Sequence, residues 1–316
     1  MTQTTQKKEI ASARPDQFPW LESGRPLPDG SFLWRKVFMK PLLSPTPHAL
    51  EVWYEAGWNS LRHSHPMDEI FYVYGGKLVV NGYDLPAGSV VFVPKNTMYG
   101  PEYTGSEGCH FLRMELWDTV EGYIGGPPAE RMGPDAARHL RVWKGALTKE
   151  GVPEGKNASV PTTLAEMSKD DAKGALAANG KEMPWIETIL AAGKGTTAGM
   201  LFTKRLLHPA PDIEEVYLAP GAELPPVSWE VDKLYACVNG ELTIGGHSVR
   251  RGGVIFVPKG TRYEIRAHAS EGARYLRIIL LDSQRPMPKG RAAESSVTHR
   301  TYTGPLTKDG TPVLSR

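Results

Sequence analysis

The sequence predicts an all-β protein, a sandwich or barrel of short strands built twice over. Three observations carry that expectation. Glycine at 33 and proline at 27 in 316 residues is a composition that favours turns. Strand candidates at 69–74, 77–81, 89–93 and 109–116 are short, bounded by Gly, Pro and Asn and joined by hairpin-length turns, with Gly75-Gly76 predicted as one of them. The chain also repeats itself at a period too long for a solenoid, which indicates a duplicated domain.

Residues 1–16 are polar and read as a disordered arm. Phe18-Pro19-Trp20-Leu21-Glu22 recurs as Met183-Pro184-Trp185-Ile186-Glu187, an offset of 165. From Phe38 onward the offset is 164: Phe38, Lys40 and Leu42 recur as Phe202, Lys204 and Leu206, and Gly57 and Gly76 as Gly221 and Gly240. Gly88 to Tyr99 recurs as Gly252 to Tyr263, and no insertion is needed between residues 38 and 117. Each copy ends in a matching tail, Gly145 to Pro153 and Gly304 to Pro312, predicted to reach a partner domain or subunit. Residues 154–181 are polar and rich in Gly, Ala and Lys, and read as a linker with one short helix near Leu164, Met167 and Ala172. The expected domains are therefore 17–153 and 182–316.

With 37 Lys and Arg against 35 Asp and Glu, net charge +2, the chain presents no large field for nucleic acid or an anionic membrane. No secretory signal is recognisable at the N-terminus, and no run of 18 apolar residues exists. Cys109 and Cys237 fall at unmatched places of the repeat, so no disulfide framework is indicated and a reducing, cytoplasmic setting is expected. Dinucleotide fingerprints, P-loops and nucleophile elbows are missing from the sequence.

The chemistry gathers between Gly57 and Gly76. Residues two apart on an extended strand share a face, so His63 and His65 would turn both imidazoles toward one pocket, to which Glu69 can return a carboxylate. Two imidazoles and a carboxylate suit a borderline divalent metal, and with open positions they suit non-haem Fe(II); Zn, Mn, Ni and Cu are also compatible. The spacing G-x5-H-x-H-x3-E-x6-G resembles, without a gap, the first motif of the cupin superfamily. Gly88, Pro94, Asn96 and Tyr99 stand at the first four positions of its second motif, with Asn for the loop glycine and Tyr99 for the histidine that would be the fourth ligand. This resemblance implies two tandem jelly-roll barrels, a bicupin, with a metal held by His63, His65 and Glu69.

The second copy places Val227, Trp229 and Lys233 where the ligands stand, and none of these supplies a lone pair for metal. One metal per chain is expected, with the second barrel a scaffold or, alternatively, a small-molecule pocket lined by Trp229. Tyr99 recurs as Tyr263, so it is a ligand, an acid or base, or a structural hydroxyl. Arg113 recurs as Arg277; it either faces solvent or points into the barrel, where it could grip a substrate carboxylate. Phe71 is the aromatic expected to line a substrate. His110 is read as a core or solvated histidine, and His48 as a loop residue.

Three functions fit: a metal-dependent oxidoreductase, chiefly an Fe(II) dioxygenase; a metal-assisted isomerase, lyase or cyclase using Tyr99; or a non-catalytic binding cup. Aromatic residues around the motif suit a small aromatic or enolisable carbonyl compound. A homodimer by edge or tail exchange is the expected assembly.

Overall fold

A computed structural model describes residues 9–26, 28, 32–43, 47–116, 140–154, 175–190, 199–208, 211–280 and 299–313. It is almost entirely antiparallel strand. The one helical element among the described residues is a single 3-10 turn, Pro15–Gln17, so no helix there is long and apolar enough to cross a membrane. The chain divides into two compact units, one running from Pro15 to Glu182 and the other containing residues 183 onward with the N-terminal strand.

In the first unit the strands follow the order Leu140–Val142, Leu21–Pro26, Phe32–Leu43, His48–Tyr54, Glu102–Leu116, Asp68–Val80, Ser89–Val93, Leu176–Asn179. Asn59–Ser60 and Tyr83–Pro86 pair at the ends of the two long central strands. Alternation sends Leu50, Val52 and Tyr54, Phe71 and Val73, Val91 and Val93, and Phe111 into one interior. The second unit repeats this plan around Val216, Leu218, Tyr235, Cys237, Ile255, Val257 and Tyr275. The fold is that of two jelly-roll barrels in tandem.

Two expectations about the segments outside the barrels change. The arm contains a strand, Ala11–Ala13, which adds to Val254–Val257 with Ala11 opposite Phe256. The end of the supposed linker is likewise a strand, Leu176–Asn179, with Leu176 opposite Phe92 of Ser89–Val93. Since Leu176 follows Ala11 by the repeat's 165 residues, each arm covers an open edge in the copy to which it does not belong in sequence. Short runs of small residues such as Ala-Ser-Ala carry too little apolar alternation to announce this. The helix expected near Leu164, Met167 and Ala172 lies outside the described residues.

Gly75 and Gly76 do not form a hairpin turn; they sit inside the single strand Asp68–Val80, flanked by two register shifts against Glu102–Leu116. Gly76 has φ +70, and a Cβ there would collide with the Gly108 carbonyl, so this bulge demands glycine. Gly240 meets Gly272 in the same way.

The tails fold back on their own units. Trp20 Nε1 donates to the Gly151 carbonyl at 2.9 Å and Trp185 Nε1 to that of Gly310 at 2.9 Å. Each indole is buried against Phe38 or Phe202, and Lys40 and Lys204 each lie 4.5 Å from the ring centroid. The Pro-Trp segments that suggested exchange between chains are thus used within each unit. Trp20→Phe should cost about 1 kcal/mol through the lost hydrogen bond, plus a packing loss, in urea unfolding. An unchanged midpoint would mean that the tail is not docked in solution.

Candidate metal centre

The strand preceding the motif ends at Ser60, and the chain then runs past Tyr99 in an isolated bridge. His63 N donates to Tyr99 O and Tyr99 N to His63 O, both at 2.9 Å. His65 O accepts from Asn96 N at 2.7 Å, with Asn96 at φ +58, as expected of a residue standing in for glycine. These bonds clamp the two motifs together. The His63 and His65 rings lie 5.0 Å apart, edge to face and half-exposed, while Glu69 is fully buried behind them.

His63 Nδ1 lies 2.7 Å from the Leu61 carbonyl, which can only accept, so Nδ1 carries a proton and Nε2 is the nitrogen turned inward. That Nε2 is 3.1 Å from Tyr99 Oη, and the phenol donates to Glu69 Oε2 at 2.7 Å. His65 Nε2 is 4.0 Å from the same Glu69 oxygen. Burial, together with Arg113 and His63, lowers the His65 pKa although Glu69 opposes, so this ring stays neutral with a lone pair to offer.

Arg113 points into the barrel, not to solvent. Its Nε donates to Glu69 Oε1 at 2.9 Å, and Nη2 contacts Glu69 Oε1 as well as Glu115 Oε1, the latter at 3.3 Å. Glu115 Oε2 in turn meets His48 Nδ1 at 2.8 Å. His48 is accordingly a buried strand residue and not a loop histidine. Burial alone would raise the Glu115 carboxyl, but Arg113 and His48 hold it down to about 2. With two carboxylates on it, the guanidinium serves Glu69 and is not a free grip for substrate. Phe71 lies buried beneath this network, its ring centroid 5.7 Å from the Arg113 guanidinium carbon and 6.5 Å from Tyr99. His110 faces the opposite side of its strand, where it bonds Glu51 at 2.9 Å.

Sequence reasoning missed Glu102. Its side chain is 3% exposed, Oε1 has no hydrogen-bond partner, and Oε2 is 3.8 Å from His63 Nε2. Burial pushes its carboxyl up to about 8, with Arg113 opposing and Glu69 reinforcing. An ungapped repeat matches Glu102 to the exposed Arg266. The ladders differ: Leu78 faces Thr104, whereas its counterpart Leu242 faces Ala267. The first copy is slipped by one residue between Tyr99 and Gly108, so Glu102 occupies the place of the buried Ile265. A one-residue slip reverses every side chain, and no spacing rule signals it here.

The donor set fits the divalent metal that the motif implies: two imidazoles with Nε2 inward, the Glu69 carboxylate and the unpartnered Glu102 oxygen. Among the described residues no three His, Cys, Asp or Glu side chains close into a finished cage, because the Tyr99 hydroxyl stands between His63 and Glu69. A shared cation would take that hydroxyl's place or bind through it. In the second unit, Val227, Trp229 and Lys233 occupy the ligand positions, and Tyr263 bonds Tyr235, hydroxyl to hydroxyl, at 2.5 Å.

No protein-family model and no curated protein matches the chain. Solved structures do. A "putative dioxygenase" from Nostoc punctiforme is 12% identical with TM-score 0.54, over 88% of this chain and 85% of that one. A "putative glyoxylate induced protein" from Pseudomonas aeruginosa is 11% identical with TM-score 0.52, over 91% and 94%. Oxalate decarboxylase from Bacillus subtilis, a protein with Mn(II) centres, is 14% identical with TM-score 0.51, over 89% and 79%. At these identities the likeness is one of fold alone, two jelly-roll barrels in tandem as in those proteins.

Proposed function

We propose that the first barrel is the working half of a metal-dependent enzyme. In this reading His63, His65 and Glu69 hold one divalent cation, Fe(II) first among the candidates, and the reaction is a dioxygenation of a small aromatic or enolisable carbonyl compound. The observation that carries it is the convergence of two half-exposed imidazoles, with Nε2 inward, on a buried carboxylate. The metal would supply a Lewis acid and, if redox-active, electrons for dioxygen.

The chain's own groups have separable tasks. Arg113 fixes one oxygen of Glu69, and Tyr99 orients the other. Burial first, then Glu102 and Glu69, pushes the Tyr99 phenol well above its ordinary value, which suits a neutral hydrogen-bond donor better than a phenolate ligand. Phe71 closes the floor against water. Glu102 is the candidate fourth donor in place of the family's histidine. Fold neighbours that include a "putative dioxygenase" and an oxalate decarboxylase are compatible with this class and do not select a substrate.

Metal analysis of protein purified without chelator, followed by oxygen uptake against a panel of such compounds, tests the reading. About one equivalent per chain with oxygen consumption is expected; a chain that takes up no metal on reconstitution would overturn it. A second reading, a metal-assisted isomerase or lyase, draws on the Tyr99 hydroxyl placed between His63 and Glu69. Turnover without oxygen, lost about a hundredfold or more in Tyr99→Phe with metal retained, would establish that alternative.

Glu102→Gln separates stability from binding. Removing a buried carboxyl with an unpartnered oxygen should raise the melting temperature of metal-free protein at pH 8, whereas metal affinity should fall tenfold or more. Unchanged affinity by competition with a chelator would remove Glu102 from the donor set.

A further inference from the structure

The second barrel holds an amine at the place where the first holds Glu69. Lys233 opens the strand Lys233–Ile244 and shares the inward parity of Tyr235 and Cys237. The residue is 1% exposed, and its Nζ has no hydrogen-bond partner. Among the described residues no carboxylate lies within ion-pair distance of it. The nitrogen faces the ring of the half-buried Trp229, 3.1 Å from the centroid. Arg277, the counterpart of Arg113, is committed to Glu214 and leaves Lys233 unpaired. Tyr235, Tyr263 and Tyr275 belong to the same interior wall as Trp229.

A buried amine without a partner costs several kcal/mol, so its retention calls for a role. Anion binding is disfavoured, because the nearby guanidinium already carries a carboxylate and the rest of the wall is aromatic. Burial first, then Arg277, pushes the amine down to about 6, against the pull of Glu214 and Asp212. A neutral amine in an aromatic lumen beside a cation is an activated nucleophile.

We propose that Lys233 is the nucleophile of a second site, in the C-terminal barrel, that takes a small aldehyde or ketone as an imine. The Nζ lone pair attacks the carbonyl carbon, and the oxygen leaves as water after receiving two protons, both of them from the amine in the net reaction. The C=O bond is replaced by C=N, and nothing is oxidised or reduced. Trp229 would swing aside to admit the carbonyl compound. This inference is independent of the metal reading.

The test is reductive trapping on the full chain at pH 7, with acetaldehyde and cyanoborohydride, read by peptide mass mapping. Lys233 should label at least tenfold faster than the exposed Lys77 and Lys149. Trp229→Ala should accelerate that labelling, and Lys233→Met, with its fold checked by circular dichroism, should abolish it. Labelling of surface lysines alone would overturn the proposal. So would labelling of Lys233 only after Trp229→Ala, since the native chain would then have no such site. Protection of Lys233 from amine reagents by acetate, with no acetaldehyde adduct, would make it an anion site and overturn the imine.

Discussion

Glu69→Ala is expected to strip the metal and destabilise the protein at once. The carboxylate is fully buried, accepts from Arg113 and Tyr99, and faces both motif histidines. Its removal leaves Arg113 with Glu115 alone, and breaking a buried pair by deleting one partner costs about 3–5 kcal/mol. His65→Ala provides the contrast, because its half-exposed ring should cost little stability while metal is lost equally. Elemental analysis and melting of the metal-free forms separate the two effects. Adding Arg113→Met to Glu69→Ala should recover part of the stability and none of the metal, as a double-mutant cycle would show. Two metals per chain, or retention after His65→Ala, would defeat the three-residue assignment.

Lys233→Met is expected to stabilise the protein, and by more as the solution becomes more acid. A free lysine titrates near 10.4, whereas burial and Arg277 push the folded Lys233 down to about 6. Above 10.4 the amine is neutral in both states and adds no pH-dependent cost. Between 10.4 and 6 the unfolded chain binds the extra proton, so stability falls with falling pH, by at most about 1.4 kcal/mol per unit for one group. Below 6 the difference is constant. Methionine removes this slope, so the variant's advantage should grow from pH 9 to pH 6, amounting to at least ~1 kcal/mol at the acid end. Parallel stability curves for the two proteins in denaturant would show that Lys233 is charged in the folded state.

Tyr99→Phe and Tyr263→Phe probe a buried phenol that both copies keep. Tyr99 donates to a carboxylate and Tyr263 bonds a second phenol, so the first substitution should cost about 1.5–3 kcal/mol and the second nearer 1. Equal losses in denaturant melts would mean that the tyrosine is barrel architecture in both places.

The sequence by itself determined the duplication, the all-β class and the resemblance to tandem cupin barrels, and it singled out the candidate ligands of the first copy, because those signals are local. Repeat matches, turn residues and the spacing of His63, His65 and Glu69 survive in one dimension. Tertiary structure alone decided what depends on register and on distant partners. The slip after Tyr99 turned Glu102 inward. The pairing of Arg113 with Glu69, 44 residues away, withdrew that guanidinium from substrate. The arms at Ala11–Ala13 and Leu176–Asn179 became strands because an open edge of hydrogen-bonding groups was waiting for them, and such an edge exists only once the sheet has formed.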